Sequence, residues 1–196
     1  MPPKSIASLR VLSDLRPPPI LPSPVMGMLI FVIAETMMFA GLMSAFSIVK
    51  AGALGWPPPG QPRLPVEATA FNTAALLASA VFLFVANNRY ARNPDLAKRP
   101  LFIAMGLGAF FVAFQGYEWI SLIRQGLTIT SSNHGSFFYL IVGMHGLHAM
   151  AGLATLGVAA LKLSRGRLAP GSFVASQVFW YFVVGLWPVL YFMVYL

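Results

Sequence analysis

The chain has five acids and three histidines, and Glu35, Glu118, His145 and His148 all stand inside long apolar blocks. Glu35 follows Phe31-Val32-Ile33-Ala34 and precedes Thr36-Met37-Met38-Phe39. A carboxylate in hydrocarbon is so costly that such a residue is either held neutral or hydrogen-bonded to another helix. Two chemistries therefore fit it: a proton-handling or lipid-contacting carboxyl, and a neutral acid that glues helices together. Replacement by Gln separates them, since glue largely survives that change and a proton role does not. Glu118 lies in Gln115-Gly116-Tyr117-Glu118-Trp119. Gln115 and Glu118, three apart, share a helix face and are expected to pair with a neighbouring helix or with interfacial water. His145 and His148, in Gly143-Met144-His145-Gly146-Leu147-His148, are also three apart, with His134 just before their block. Imidazole is a common metal and haem ligand. Yet a zinc or copper site wants three or four ligands, and only Glu118, His134 or the distant Glu35 are left to add. A haem needs histidines at matching depth on two helices, whereas one helix carries both of these. The residues thus favour hydrogen bonds from the two histidines to neighbouring helices, Glu118 among them. The absence of cysteine removes disulfides, thiolate sites and iron-sulfur clusters.

These residues sit in a chain of 196 residues that is 58% hydrophobic and 9% charged, with a mean hydropathy of +0.74. Soluble domains carry roughly 25% charge, so the bilayer is the solvent here. Five apolar blocks, about 25–49, 68–86, 101–123, 136–161 and 173–196, each approach the ~20 residues that span a ~30 Å core. Glu35 is about ten residues into the first, ~15 Å from its start and close to the midplane. Blocks this long satisfy their backbone as helices and not as barrel strands. The expected fold is an all-α membrane protein, a bundle of five transmembrane helices spanning 25–196. Prolines 17, 18, 19, 22 and 24 make 1–24 an extended cytoplasmic tail with no cleavable leader. Pro57, Pro58, Pro59 and Pro62 interrupt the first connection, and Asn93-Pro94-Asp95 breaks the chain between the second and third helices. Ten basic residues fall on the side of the tail and the connections near 90 and 165, against three, Lys50, Arg63 and Arg124, on the other. That bias places the N-terminus inside and the C-terminus outside. It also absorbs most of the formal charge of +8, leaving no sustained basic patch for nucleic acid. Gly41, Ser44, Ala45, Gly106, Gly108, Gly143, Gly146, Gly152 and Gly157 are small enough to let helices approach closely. The many Met and Phe read as lipid-facing filler.

Four stretches, in order, resemble one family. They are Phe31 to Gly41 with its acid and Met/Phe run, Phe71-Asn72-Thr73-Ala74-Ala75-Leu76-Leu77-Ala78-Ser79, Gln115 to Trp119 followed by Gly126-Leu127-Thr128, and Gly135 to Tyr139 leading into Gly143 to His148. They resemble subunit III of the haem-copper oxidases, in its five-helix bacterial form. The resemblance implies a non-redox subunit of a respiratory terminal oxidase in the bacterial inner membrane. It would pack against subunit I, hold phospholipid and support proton uptake while the complex reduces oxygen and pumps protons. It implies no cofactor on this chain, with haems and copper in subunits I and II, and cytochrome c or quinol as donor. Glu35 matches the family's buried carbodiimide-reactive carboxyl; Gln115, Glu118, His145 and His148 form the interhelical polar network. One departure falls in the last helix, where Tyr181 and Val184 stand in place of the family's His and Asp. Two other readings stay open. One is the subunit III-like protein associated with nitric oxide reductases. The other is a stand-alone transporter built around Glu35, against which stands the lack of an internal repeat, although Pro188 is placed to kink the last helix.

Overall fold

The computed structural model describes residues 21–196; most of the tail expected over 1–24 lies outside them. Five helices follow one another: α1 (Ser23–Ala51), α2 (Val66–Tyr90), α3 (Pro94–Arg124), α4 (Asn133–Ser164) and α5 (Pro170–Tyr195). There is no strand among the described residues, and all five helices are long and apolar enough to cross a membrane. The all-α, five-span architecture is the one expected. The helices run longer than the apolar blocks because polar ends add turns in the interfacial layer. The largest difference is in α3, which starts at Pro94 and not near 101. There the Asn93 side chain accepts from the Asp95 amide at 2.9 Å, Pro94 occupies the first turn, where its missing N–H costs nothing, and Lys98 pairs with Asp95 at 2.7 Å. The Asn-Pro-Asp sequence therefore opens a helix as well as closing the connection before it. Gly126 and Gly166 end α3 and α4 with φ of 92° and 65°. In each case the next residue's amide reaches back to the carbonyl five before it, Leu127 to Leu122 at 3.0 Å and Arg167 to Lys162 at 2.8 Å. Such a reversal needs the left-handed conformation that glycine adopts without strain.

Helix α5 is the hub, packing on α1, α2 and α4. Its two tryptophans, Trp180 and Trp187, are fully buried and lie seven residues apart, so they project from one face two turns from each other. Trp180 fills a slot floored by two glycines: a Cβ at Gly108 would lie 2.6 Å from its ring, and one at Gly152 would lie 2.8 Å away. Its indole N–H donates to Ser79 Oγ at 3.1 Å, and that of Trp187 donates to Thr73 Oγ1 at 2.8 Å. Both hydroxyls send their own hydrogen to a carbonyl of α2, Ser79 to Leu76 at 2.6 Å and Thr73 to Thr69 at 2.7 Å. Their lone pairs are thus left for the indoles. Asn72 adds a bond from its amide to the Phe111 carbonyl of α3 at 3.1 Å. Not every small residue serves close approach, since a Cβ at Gly41 or Gly106 would meet nothing within 4 Å. Nor are the phenylalanines uniformly filler: Phe39, Phe46, Phe111, Phe138 and Phe173 are fully buried, their edges closing gaps between helices. Pro188 is accommodated inside α5, which continues through it.

Candidate functional site

Phe31, Glu35 and Phe39 succeed one another at four-residue spacing and so share a face of α1. Glu35 lies twelve residues from the start of a 29-residue helix, about 18 Å along it. His148 sits near the middle of α4. The two side chains meet, with Glu35 Oε2 and His148 Nε2 3.1 Å apart and only 19% and 12% exposed. Around them is a ring of aromatic edges. His148 lies against Phe39 at 5.4 Å, Phe179 at 6.2 Å and Phe182 at 6.4 Å between ring centroids, and Phe31 closes on Phe179 at 5.7 Å. Water is largely excluded from such a lining, which strengthens whatever polar contact it encloses.

The second nitrogen determines the state of the first. His148 Nδ1 lies 2.8 Å from the Met144 carbonyl, which only accepts, so Nδ1 carries hydrogen. One further proton must then lie between Glu35 Oε2 and His148 Nε2. On oxygen it makes a neutral acid donating to a neutral imidazole; on nitrogen it makes a carboxylate accepting from an imidazolium. Both forms carry no net charge and differ by a shift of one proton along one hydrogen bond. The fold thus brings a carboxyl and an imidazole 113 residues apart in sequence into contact near the middle of α1 and α4.

The other polar residues form a separate group. Glu118 Oε2 lies 3.1 Å from Thr69 Oγ1, whose hydroxyl also bonds the Pro65 carbonyl at 2.8 Å. Gln115 donates to Tyr195 Oη at 3.0 Å. This joins α3 to α2 and α5 and leaves α1 out. The expected bond between Glu118 and the histidines is not formed, because a step of three residues turns His145 and His148 toward different neighbours. His148 faces α1, whereas His145 is wholly buried against Trp187, at 4.9 Å, and Phe111, at 6.2 Å. Neither ring nitrogen of His145 has a partner among the described residues. It borders a cleft of about 520 Å³ between α3 and α4, shared with Gln115, Trp119 and Tyr139. Among the described residues no three His, Cys, Asp or Glu side chains stand close enough together to hold a metal ion. In α5, Val184 is buried and Tyr181 keeps a buried hydroxyl with no partner. Thr69 and Tyr195 were not legible as members of the polar group. A threonine in a first turn and a tyrosine at a helix end carry no signal until the helices are registered against one another.

Five apolar helices that satisfy their backbones internally and enclose an acid-imidazole pair define an integral, multi-pass helical membrane protein. Comparison with known proteins narrows that class. The family model for cytochrome c oxidase subunit III matches residues 22–196, and the chain belongs to that family. A probable cytochrome c oxidase subunit 3 of Nocardia farcinica is 35% identical over 175 residues, covering 85% of this chain and 86% of its own length. Cytochrome c oxidase subunit 3 of Synechocystis is 31% identical over 176 residues (87% of this chain, 74% of its own). The protein of that name from Gallus gallus is 34% identical over 179 residues (86% and 67%). The chain is thus a subunit III of a haem-copper oxidase and a member of a multi-subunit cytochrome c oxidase complex.

Proposed function

We propose that this chain is a non-redox subunit that packs on subunit I of a terminal oxidase in a bacterial inner membrane and keeps a proton available through the Glu35-His148 pair. The observation that carries this is the 3.1 Å contact between Glu35 Oε2 and His148 Nε2, with His148 Nδ1 held by the Met144 carbonyl. The shift along the bond leaves the pair neutral overall; handing the proton on leaves a carboxylate beside a neutral imidazole, a net negative charge that is expensive in an apolar medium and that draws in the next proton. Haems and copper belong, in this reading, to subunits I and II; here His148 is committed to Glu35, and His145 is enclosed by Trp187 and Phe111. Gln115, Glu118 and His145 serve as interhelical packing, and phospholipid covers the exposed apolar faces. The distribution of basic residues supports an inside N-terminus and an outside C-terminus. The names of the relatives make cytochrome c the first donor to try, and quinol the second.

The experiment is a mild-detergent purification of the complex through this chain, with a haem spectrum and oxygen uptake driven by reduced cytochrome c or by quinol. Glu35→Gln keeps a donor toward His148 but cannot release a proton. The expected result is an unchanged haem spectrum with slower proton uptake or a shorter catalytic lifetime. Unchanged turnover over many cycles would remove the proton role and leave the pair as packing. A colourless, partner-free protein would remove the oxidase assignment.

A further inference from the structure

At the end of the bundle where α1 and α5 finish and α2 and α4 begin, a notch of about 250 Å³ is lined by Lys50, Trp56, Arg63, His134, Tyr195 and Leu196, among others. Among the described residues this end is poor in positive charge, holding Lys50, Arg63 and Arg124, and two of the three line this one notch. Neither pairs with an Asp or Glu side chain among the described residues. Among the described residues the ion pairs are Asp95 with Lys98 and Glu35 with His148, so Arg63 does not pair with Glu67, its nearest acid in sequence. Lys50 Nζ makes one bond, to the Met193 carbonyl in the last turn of α5, at 3.4 Å. Two of its three hydrogens therefore have no acceptor among the described residues.

The floor of the notch is unusual in the same direction. His134 is 2% exposed, with no partner among the described residues for either ring nitrogen. Trp56, folded back from the connection onto Phe46 and His134 at 5.5 and 5.0 Å, has a buried indole N–H that is likewise unbonded. Buried polar atoms without partners are few in folded proteins and call for one. Here two cations, an imidazole and an indole N–H surround one space and no carboxylate side chain lines it. The rest of the wall, Pro57, Leu64, Val66 and Val194, is apolar. A site that is half cation and half hydrocarbon, beside a tryptophan at the membrane boundary, matches the junction of a phosphate with a glycerol backbone.

We propose that this notch binds a phosphate group, held by Lys50 and Arg63, at the end of the bundle opposite the α2/α3 and α4/α5 connections. The inference is independent of the proton role of Glu35. Its test uses the complex purified through this chain, washed in mild detergent, then offered phosphatidylglycerol, phosphatidylcholine or inorganic phosphate, with binding read by native mass spectrometry. A Lys50→Gln/Arg63→Gln double variant is expected to bind the phosphate-bearing probe roughly 30-fold more weakly, the consequence of removing two surface cations. The charge-keeping variant Lys50→Arg/Arg63→Lys is expected to bind within a few-fold of the unaltered protein. Variant-sensitive retention of phospholipid identifies a lipid headgroup as the source, and variant-sensitive binding of inorganic phosphate alone identifies the free ion; each supports the site. Equal binding by the double variant and the unaltered complex overturns it. So does loss of a neighbouring subunit from the double variant with phosphate binding intact, which would assign these cations to a protein carboxylate.

Discussion

The Glu35-His148 contact makes a coupling energy that is open to measurement. The perturbation is a double-mutant cycle of Glu35→Leu, His148→Phe and both together. Interhelical hydrogen bonds in membranes average ~0.6 kcal/mol, with a maximum near ~1.7, because the unfolded chain also finds partners in the bilayer. This one is enclosed, with exposures of 12% and 19%, and with its proton on His148 it joins two charged groups, which roughly doubles a neutral bond. The expected coupling is therefore about 1–1.5 kcal/mol. Each single change is expected to cost more than the double change suggests, since Glu35→Leu leaves His148 Nε2 unpaired among Phe39, Phe179 and Phe182, a penalty of ~1–3 kcal/mol. The assay is reversible unfolding in mixed micelles, followed by the fluorescence of the chain's four tryptophans. A coupling below about 0.3 kcal/mol, within the range of independent sites, would refute the claim that these two side chains act as one unit.

Three further outcomes follow from the same structure. Gly152→Ala puts a methyl 2.8 Å from the Trp180 ring and should destabilise the bundle by ~1–3 kcal/mol; thermal unfolding of Gly152→Ala alone and with Trp180→Phe tests this, the second change relieving the first. A hydrophobic carbodiimide should modify Glu35, whose side chain is 19% exposed, and Glu35→Gln should abolish the adduct in peptide mass spectra while Glu118, 5% exposed, stays unlabelled. Because the chain has no cysteine, Leu54→Cys and Arg165→Cys make clean single-thiol probes. A membrane-impermeant maleimide applied from outside should reach Leu54→Cys and not Arg165→Cys, and the reverse pattern would invert the topology drawn from the basic residues.

Span number and type were legible because the bilayer imposes them: an apolar block near twenty residues, with prolines before and after it, has one stable answer. The depth of Glu35 followed from counting along α1, and the need for a partner followed from the cost of a lone acid there. Which partner it would be was not legible. His145 and His148 differ by 60° around α4, and only the registration of α1 against α4 decides which of them meets the acid. The same holds for Glu118, whose bond goes to Thr69 and not to a histidine, since α2 and not α4 lies on that side of α3. The early start of α3 was hidden because an Asn-Pro-Asp sequence reads equally as a break and as a helix N-terminus, and the charged first turns masked the helix from an apolar count. Trp180 and Trp187 were visible as a spaced pair, but their seats on Gly108, Gly152, Ser79 and Thr73 come from three other helices and leave no trace in local pattern.

The locks that hold α5 have a consequence for life in an energised membrane. A transmembrane voltage exerts force only on charge, about 2.3 kcal/mol for each elementary charge carried across 100 mV. The indole donors of Trp180 and Trp187, the hydroxyls of Ser79 and Thr73, and the glycine floors of Gly108 and Gly152 carry none. As respiration builds the voltage up and its consumers draw it down, the hub helix feels no pull along its axis through these contacts, and the scaffold keeps its geometry at any state of charge of the membrane.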